Sequence, residues 1–289
     1  MKKIVWIASY PKSGNTWMRY LLGNYFFNHN DKFDPNIISY LRKFHIDDEL
    51  LKLDVSEDFK KNPYNVSKYW IKSQENLKIL NGNVAFFKTH NALVNINKNE
   101  FTNENLSLAI IHIVRDPRNV ITSYSNHYET SIEQSASDMF TNTYLKGMVD
   151  YNSFQNHVLT HLGTWADNYN SWKHLNKFNK YLLIKYEDIV SKPDVIFQDV
   201  LKFIAKISNT NLKIDKKKME NAINTTTFEN LKQMEEKNGF IEAVKRKDNN
   251  NITFFKQGSN RDWKKLLTNE LKNKIEKSFN TEMKELGYL

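Results

Sequence analysis

The sequence has 289 residues, of which 40% are hydrophobic and 13% aromatic, and it contains no cysteine. This much apolar material suffices for a sizeable core and excludes a wholly disordered chain; the lack of cysteine excludes disulfides, thiolate metal sites and a cysteine nucleophile. Lysine and arginine outnumber aspartate and glutamate by 42 to 33, a net charge of +9, which we interpret mainly as a lysine excess spread over a solvated surface.

The sequence contains no apolar stretch of the roughly 18–20 residues that a membrane-spanning helix needs. Its first apolar run, Ile4–Ala8, is too short for a signal peptide and stops at Tyr10-Pro11-Lys12. We therefore expect a cytoplasmic protein without a membrane span.

Apolar runs of strand length alternate with helical patterns along the chain. The predicted strands are Ile4–Ala8, Val84–Lys88, Leu108–Val114 and Tyr181–Ile184. The predicted helices are Trp17–Phe26, one starting at Pro117, Phe154–Leu175, Ile196–Ile204, Lys216–Ile223 and Leu266–Leu286; loops and short helices are expected over residues 30–60. The alternation predicts an α/β fold with a central parallel β-sheet flanked by helices, in a single domain over residues 1–289.

The first predicted strand is followed by Tyr10-Pro11-Lys12-Ser13-Gly14-Asn15-Thr16-Trp17, a glycine-containing loop that enters a helix. Ligands of open α/β sheets bind beyond the carboxyl ends of the strands, and the free N–H groups of a helix start favour an anion. Lys12 adds a charge, and Ser13, Asn15 and Thr16 add donors. The pattern alone leaves open a phosphate site or an ordinary turn capped by Ser13 or Thr16. It is not a Walker A loop, because the lysine precedes the glycine.

This loop resembles that of the cytosolic-type sulfotransferases that use 3′-phosphoadenosine 5′-phosphosulfate (PAPS), which reads Tyr-Pro-Lys-Ser-Gly-Thr-Thr-Trp and differs here only at Asn15. Other segments resemble the family in the same order along the chain. They are Phe87-Lys88-Thr89-His90, Arg115-Asp116-Pro117 through Ser123, Tyr186-Glu187-Asp188, Thr226-Thr227-Phe228, Phe254-Phe255-Lys256-Gln257-Gly258 and Asp262-Trp263-Lys264. The resemblance thus runs from residue 10 to residue 264 and implies a P-loop-like phosphosulfate-binding loop after strand one.

The resemblance implies a sulfotransferase that moves a sulfuryl group from PAPS to an acceptor by in-line displacement and leaves 3′,5′-bisphosphoadenosine, with no metal. His90 would be the general base, assisted by Lys12 and Lys88; alternation along an extended segment puts Lys88 and His90 on the same side. Arg115 and Ser123 would hold the 3′-phosphate. The full set of implied nucleotide-binding residues is Lys12, Ser13, Gly14, Asn15, Thr16, Trp17, Arg115, Ser123, Tyr186, Thr226, Phe228, Phe254, Lys256, Gln257 and Gly258.

The sequence departs from the family at several positions. Asn15 offers an amide in place of a hydroxyl, which we expect to donate to phosphate. Lys256-Gln257 stands where Arg-Lys is common, and Arg261 replaces a glycine. Binding of the 3′-phosphate is therefore either weakened, completed by another lysine, or completed by Arg261. The family's dimer motif is half present: Lys264 and Thr268 match, whereas Asn269 and Asn273 do not, which leaves monomer or homodimer open.

We expect the partner to be a small-molecule or glycan acceptor bearing a hydroxyl or amine, and no nucleic acid. The alternatives are a P-loop kinase or nucleotide hydrolase, a nucleic-acid-binding protein suggested only by the charge, and an inactive member of the same fold. His112 is interpreted as a core residue. His157 and His161 could share a metal but lack a third ligand. Trp165, Tyr169 and Trp172 form a stripe predicted to lie in the core.

Overall fold

A computed structural model describes residues 3–30, 32–44, 62–77, 84–141, 143–145, 159–175, 180–210, 213–240, 242–243, 252–256 and 263–289. In chain order its strands are β1 (Lys3–Ser9), β2 (Val84–Thr89), β3 (Asn95–Ile96), β4 (Asn99–Glu100), β5 (Ser107–Val114), β6 (Thr143–Leu145), β7 (Thr160–Gly163) and β8 (Tyr181–Lys185).

The central sheet has four strands in the order β2-β1-β5-β8. Every neighbouring pair is parallel, with Trp6 opposite both Phe87 and Ile110 in the register. The carboxyl ends of all four strands therefore lie at one edge of the sheet. The four predicted strands and the predicted α/β fold with a central parallel sheet are confirmed.

The helices, in chain order, are α1 (Asn15–Phe26), α2 (Trp70–Glu75), α3 (Pro117–Tyr128), α4 (Ile132–Phe140), α5 (Trp165–Lys173), α6 (Tyr186–Ser191), α7 (Pro193–Ile207), α8 (Lys216–Thr225), α9 (Phe228–Asn238), α10 (Trp263–Leu266), α11 (Asn269–Ser278) and α12 (Asn280–Glu285). Two 3₁₀ segments, Pro35–Tyr40 and Pro63–Tyr69, precede β2. Within the described ranges, no helix is long and apolar enough to cross a bilayer.

Strand β1 is buried from Ile4 to Ser9, as expected for a strand covered on both faces. Its side chains alternate between two cores: Val5 and Ile7 pack with α1, α7 and α8, whereas Trp6 packs with Trp70 and Trp172 on the other face. This double coverage fixes the strand, and with it the position of the loop that follows.

The predicted helix over Phe154–Leu175 is wrong at residues 160–164. Thr160–Gly163 is strand β7, which pairs antiparallel with β6, and the helix begins only at Trp165. The cause is a capping box: Thr164 accepts from the Asp167 N–H while the Asp167 side chain accepts from the Thr164 N–H. Residues 154–158 lie outside the described ranges. The aromatic stripe itself is buried as predicted, each of its members being at most 3% exposed.

The predicted C-terminal helix Leu266–Leu286 is two helices. Thr268 caps the start of α11 by accepting from the Leu271 N–H. Phe279 ends the helix, and its N–H donates to the carbonyl of Ile275. Helix α12 then follows to Glu285. The break places Phe279 in the core beside Trp165, at 5.3 Å between ring centroids.

Candidate active site

The loop after β1 turns through backbone conformations that only some residues tolerate. Gly14 has φ of 100°, and a Cβ there would lie 2.5 Å from Cδ2 of Tyr186. Position 14 therefore needs glycine for its backbone conformation and for the close approach of the ring. The turn delivers the chain directly into α1, whose first N–H groups are available to an anion.

Asn15 fastens this loop to the strand that precedes it. Its side-chain amide donates to the carbonyl of Ile7 at 2.8 Å and to the hydroxyl of Ser9 at 3.1 Å. Both amide hydrogens are thus used inside the protein, so the expectation that this side chain donates to phosphate does not fit the structure. The backbone N–H of Asn15 at the helix start is what the residue can offer an anion.

Four buried polar atoms around the loop have no hydrogen-bond partner within the described part of the chain: the acceptor Asn15 Oδ1 and three potential donors, Ser13 Oγ, Trp17 Nε1 and Arg115 Nε. An unpaired buried donor is costly, typically about 1–3 kcal/mol. All three can donate, and each belongs to the loop, the helix it enters, or the end of the neighbouring strand β5. The donor set suits a polyanionic ligand.

Arg115 is buried at the end of β5 and packs directly onto the loop. Its Nη1 donates to the carbonyl of Lys12 at 3.0 Å, and its guanidinium carbon lies 4.2 Å from the ring centroid of Tyr186. The Trp17 and Tyr186 rings meet edge to face at 6.1 Å. The ends of three neighbouring strands, β1, β5 and β8, thus converge here.

Lys12 is half-buried, and its ammonium lies 3.8 Å from the centroid of the Phe254 ring. Burial, followed by repulsion from Lys88 and Arg115, lowers the pKa of Lys12 from 10.5 to about 7. Lys12 is thus a buried cation with two further cations near it. A site that destabilises its own positive charge stabilises a bound anion.

His90, which follows β2, is oriented by β1. Its Nδ1 lies 2.8 Å from the carbonyl oxygen of Ser9 and 3.3 Å from the Ser9 hydroxyl. Because a carbonyl oxygen can only accept, Nδ1 carries the proton and Nε2 keeps its lone pair. Burial, and then the charge of Lys88, lowers the pKa of His90 well below 6.5, so the imidazole is neutral at physiological pH.

The backbone of His90 is fixed as well. The side-chain amide of Asn168 in α5 donates to the His90 carbonyl at 3.0 Å and to the carbonyl of Leu162 at 3.1 Å. One residue further, Trp172 Nε1 donates to the carbonyl of Asn91 at 3.0 Å. Helix α5 therefore holds the segment that carries the imidazole.

Lys88 is buried in β2, and its ammonium forms an ion pair with Glu242 at 3.0 Å. The other oxygen of this carboxylate lies 2.6 Å from Nη1 of Arg19. Burial lowers the pKa of Lys88 from 10.5 to about 8, against the opposing effect of Glu242. Lys88 is thus the second cation of the site, beside the neutral His90.

The remaining predicted residues are found in or at the end of three other helices, in the segment 252–256, or outside the described ranges. Ser123 is half-buried in α3, Phe228 begins α9, and Lys256 is exposed. The Thr226 hydroxyl donates to the carbonyl of Ala222 at 2.7 Å, so it is engaged in ending α8. Gln257, Gly258 and Arg261 lie outside the described residues, so their predicted contribution to the site stays a prediction.

Four residues of this region were not found from the sequence. Ser9 orients His90. Glu242 pairs with Lys88, and Arg19 pairs with Glu242. The carboxylate of Glu235 accepts from the backbone N–H groups of Phe254 and Phe255 at 2.6 and 2.7 Å. The last contact anchors the ring that covers Lys12. Only Ser9, directly before the loop, has a local signal in the sequence.

The histidines considered for other roles are accounted for in part. His112 is buried in β5, where its Nδ1 lies 2.8 Å from the Tyr181 hydroxyl, as expected of a core residue. His157 lies outside the described ranges. Among the residues that the structure describes, there is no group of three or more potential metal ligands.

The fold is that of an α/β protein with a glycine-containing loop at the carboxyl edge of a parallel sheet. The chain belongs to the sulfotransferase family, because the family described as "Sulfotransferase domain" matches residues 2–287. It is therefore an enzyme of the sulfotransferase class.

Characterised relatives of the chain are distant but cover most of it. A flavonol 3-sulfotransferase of Flaveria bidentis is 25% identical, with 98% of this chain and 82% of that protein covered. An amine sulfotransferase of Oryctolagus cuniculus is 24% identical, with 97% and 81% covered.

Two solved structures share the fold. Retinol dehydratase in complex with androsterone and inactive cofactor PAP superposes with a TM-score of 0.62 at 16% identity, covering 97% of this chain and 80% of that one. The mouse sulfotransferase SULT7A1 complexed with PAP gives 0.55 at 15% identity, covering 98% and 84%.

Proposed function

We propose that this protein transfers the sulfuryl group of PAPS to a hydroxyl or amine of a small-molecule or glycan acceptor, with 3′,5′-bisphosphoadenosine as the second product. Family membership supports the reaction class. Retinol dehydratase and the mouse sulfotransferase SULT7A1, which share the fold, were solved as complexes with PAP, and this supports PAPS as the donor. Since residues from Lys12 to Phe254 contribute to one site, we also propose that the chain acts as a single domain.

The observation that carries the proposal is the cluster of Lys12, Lys88 and Arg115 beside His90, in which Arg115 donates to the Lys12 carbonyl at 3.0 Å. Burial first, and then the charges of Lys88 and Arg115, lowers the pKa of Lys12 to about 7. Such a cluster is unfavourable in the absence of an anion, and a donor with several negative charges relieves it. His90, with its free Nε2, lies beside these cations.

The residues around the loop fit a nucleotide with phosphate groups. The unpaired donors of Ser13, Trp17 and Arg115 would be satisfied by phosphate oxygens. The start of α1 would add backbone N–H groups from Gly14, Asn15 and Thr16. We assign the 3′-phosphate to Arg115 with Ser123, and the adenine side to Trp17, Tyr186, Thr226 and Phe228; the covering segment would add Phe254, Lys256, Gln257 and Gly258.

The donor supplies an activated sulfuryl group with a phosphate leaving group, and the protein supplies positioning and charge. Lys12 and Lys88 would neutralise negative charge that develops on the transferring and departing oxygens. His90 Nε2 would accept the proton of the acceptor, a contribution typically worth about 10²–10⁴-fold in rate. No residue is required to form a covalent bond.

Acceptor chemistry is proposed only as a class. The names of the two relatives mention a flavonol and an amine, and both chemistries place a nucleophilic O–H or N–H before a base such as His90. A panel of phenols, aliphatic alcohols and primary amines, each incubated with ³⁵S-labelled PAPS, would identify the class. Transfer of label to no member of a broad panel would contradict the proposal.

A binding experiment tests the donor independently of the acceptor. Calorimetry should show that 3′,5′-bisphosphoadenosine binds more tightly than adenosine 5′-monophosphate, which lacks the 3′-phosphate. Arg115→Ala should weaken the first ligand at least tenfold and the second much less. Equal affinity for the two nucleotides, or equal losses on substitution, would refute the assignment of Arg115 to the 3′-phosphate.

A further inference from the structure

The carboxylate of Glu242 divides its two oxygens between two buried cations. Oε1 lies 2.6 Å from Nη1 of Arg19, and Oε2 lies 3.0 Å from Nζ of Lys88. The side chains of Arg19 and Lys88 are 3% and 9% exposed, and that of Glu242 is 19% exposed. An ion pair this well shielded from water is much less screened than a surface pair.

Arg19 is itself fixed by the backbone around it. Its Nε donates to the carbonyl of Leu41 at 2.8 Å, and its Nη2 donates to the carbonyl of Ile38 at 3.2 Å. The guanidinium can therefore place Oε1 of Glu242, and the rigid carboxylate then places Oε2. Lys88 has a flexible side chain of four methylenes, and its ammonium is positioned by Oε2 of Glu242.

We propose that Glu242 is a positioning residue for the reaction, one that holds the ammonium of Lys88 in place and keeps it protonated beside His90. This inference rests on the proposed function, in which Lys88 meets the transferring group. The carboxylate need not contact donor or acceptor; it acts through Lys88.

Charge balance gives Glu242 a second effect besides geometry. Among the described residues, Glu242 is the acidic group with the largest effect on the pKa of Lys88, which it raises. The basic groups facing this region from the surrounding elements are Arg19 in α1, Lys12 in the loop, Lys43 beside β2, His90 after β2 and His127 in α3. Without the carboxylate, burial and these neighbours would favour the neutral amine of Lys88.

The test uses Glu242→Gln in the full-length chain, because glutamine keeps the size and one oxygen that can accept from Arg19. Glu236→Gln is the matched control, since Glu236 lies on α9 with an exposed side chain and pairs with the exposed Lys232 at 3.8 Å. Lys88 is followed by NMR of ¹⁵Nζ-labelled lysine without any ligand, and Lys88→Arg identifies its resonance. The titration of wild type is expected near pH 8.

Three results support the inference together. In Glu242→Gln the midpoint of the Lys88 titration falls below that of wild type. The value of kcat at pH 7.5 falls at least tenfold. The Kd of 3′,5′-bisphosphoadenosine, measured at a pH below the Lys88 midpoint found for each protein, stays within threefold of wild type. A residue that only supported the fold would weaken binding and would leave the midpoint unchanged.

The inference is overturned if the Lys88 midpoint does not move, if kcat stays within twofold of wild type, or if nucleotide affinity is lost in parallel with kcat. Glu242→Asp provides a second variant with the charge retained, should glutamine prevent folding; it must keep the midpoint near that of wild type. If wild type transfers no sulfuryl group, the proposed function fails, and the ligand-free titration still decides whether Glu242 controls Lys88.

Discussion

Nδ1 of His90 lies 2.8 Å from the carbonyl oxygen of Ser9, the last residue of the neighbouring strand β1. This contact links the proposed base to the loop after β1, because the Ser9 hydroxyl also accepts from the side-chain amide of Asn15, the first residue of α1. The position of the proposed base is thus tied to the position of the loop. A substitution at residue 90 can keep or remove the hydrogen bond to the Ser9 carbonyl independently of the lone pair on Nε2.

His90→Asn should separate these two functions. The asparagine amide can still donate to the Ser9 carbonyl, whereas no lone pair replaces Nε2, so we expect kcat to fall by about 10²–10⁴-fold. The Kd of 3′,5′-bisphosphoadenosine should stay within twofold. His29→Ala, at an exposed histidine, is the control and should change neither value. Turnover of His90→Asn within twofold of wild type would remove His90 from proton transfer.

Donor binding should depend on pH through Lys12. Its pKa is lowered to about 7, so above pH 7 the free protein has increasingly lost the charge that an anion requires, and binding must take up a proton. The Kd of 3′,5′-bisphosphoadenosine should therefore rise between pH 7 and pH 8, at most about tenfold per pH unit. Calorimetry in buffers of different ionisation enthalpy would count the proton.

Lys12→Arg is the control for this dependence. A guanidinium stays charged over the whole range, so this variant should bind with a flatter pH profile over pH 7–8, whatever its absolute affinity. The remaining slope above pH 8 belongs to Lys88, whose pKa is about 8. A wild-type Kd that does not change from pH 6.5 to pH 8.5 would contradict the linkage.

Gly14→Ala should damage the loop by two routes. The added Cβ would lie 2.5 Å from the Tyr186 ring, and alanine would be held at φ of 100°. We expect a loss of about 1–3 kcal/mol in stability from the backbone alone, together with at least tenfold weaker nucleotide binding. Gly287→Ala, also at positive φ but with nothing within 4 Å, should show the backbone cost without the binding defect.

The contribution of the ring contact can be measured directly. Combining Gly14→Ala with Tyr186→Ser removes the ring atoms that meet the new Cβ, so the double variant should be more stable than the sum of the single effects predicts. Additive losses in the melting temperatures would show that the contact at Gly14 carries no cost.

Much of this site could be predicted from the sequence because its elements are local. Buried strands appear as continuous apolar runs, and the residues that follow them, Lys12, His90 and Arg115, must meet at one edge of a parallel sheet. In the structure, Arg115 donates to the carbonyl of Lys12 in the loop. His90, two residues after Lys88, contacts the carbonyl of Ser9 directly before that loop.

The residues that were missed depend on contacts distant in sequence. Glu242 lies 223 positions from Arg19 and 154 from Lys88, and nothing near residue 242 indicates either partner. The error over Thr160–Thr164 is of another kind, since the capping residues Thr164 and Asp167 stand in the sequence at the required spacing. The apolar spacing predicted a helix on both sides of Thr164, whereas the N-cap at Thr164 marks the residue at which the helix begins.

Arg118 should be a major determinant of stability, although it lies outside the proposed chemistry. Its guanidinium pairs with Asp116 at 2.7 Å and Glu276 at 2.6 Å, and donates to the carbonyl of Tyr288 at 2.8 Å. The same group lies 4.2 Å from the Trp263 ring centroid. It thereby joins α3 to the last helices of the chain.

Arg118→Ala leaves two carboxylates without their buried partner, for which a loss of about 3–5 kcal/mol is expected. Lys202→Ala removes one side of an exposed pair with Asp199 and should cost no more than about 1 kcal/mol. Urea unfolding of the two variants measures the difference, and Arg118→Lys, which keeps the charge but not the planar fork, should fall between them. Equal stabilities for Arg118→Ala and Lys202→Ala would mean that the C-terminal helices are held by their apolar contacts alone.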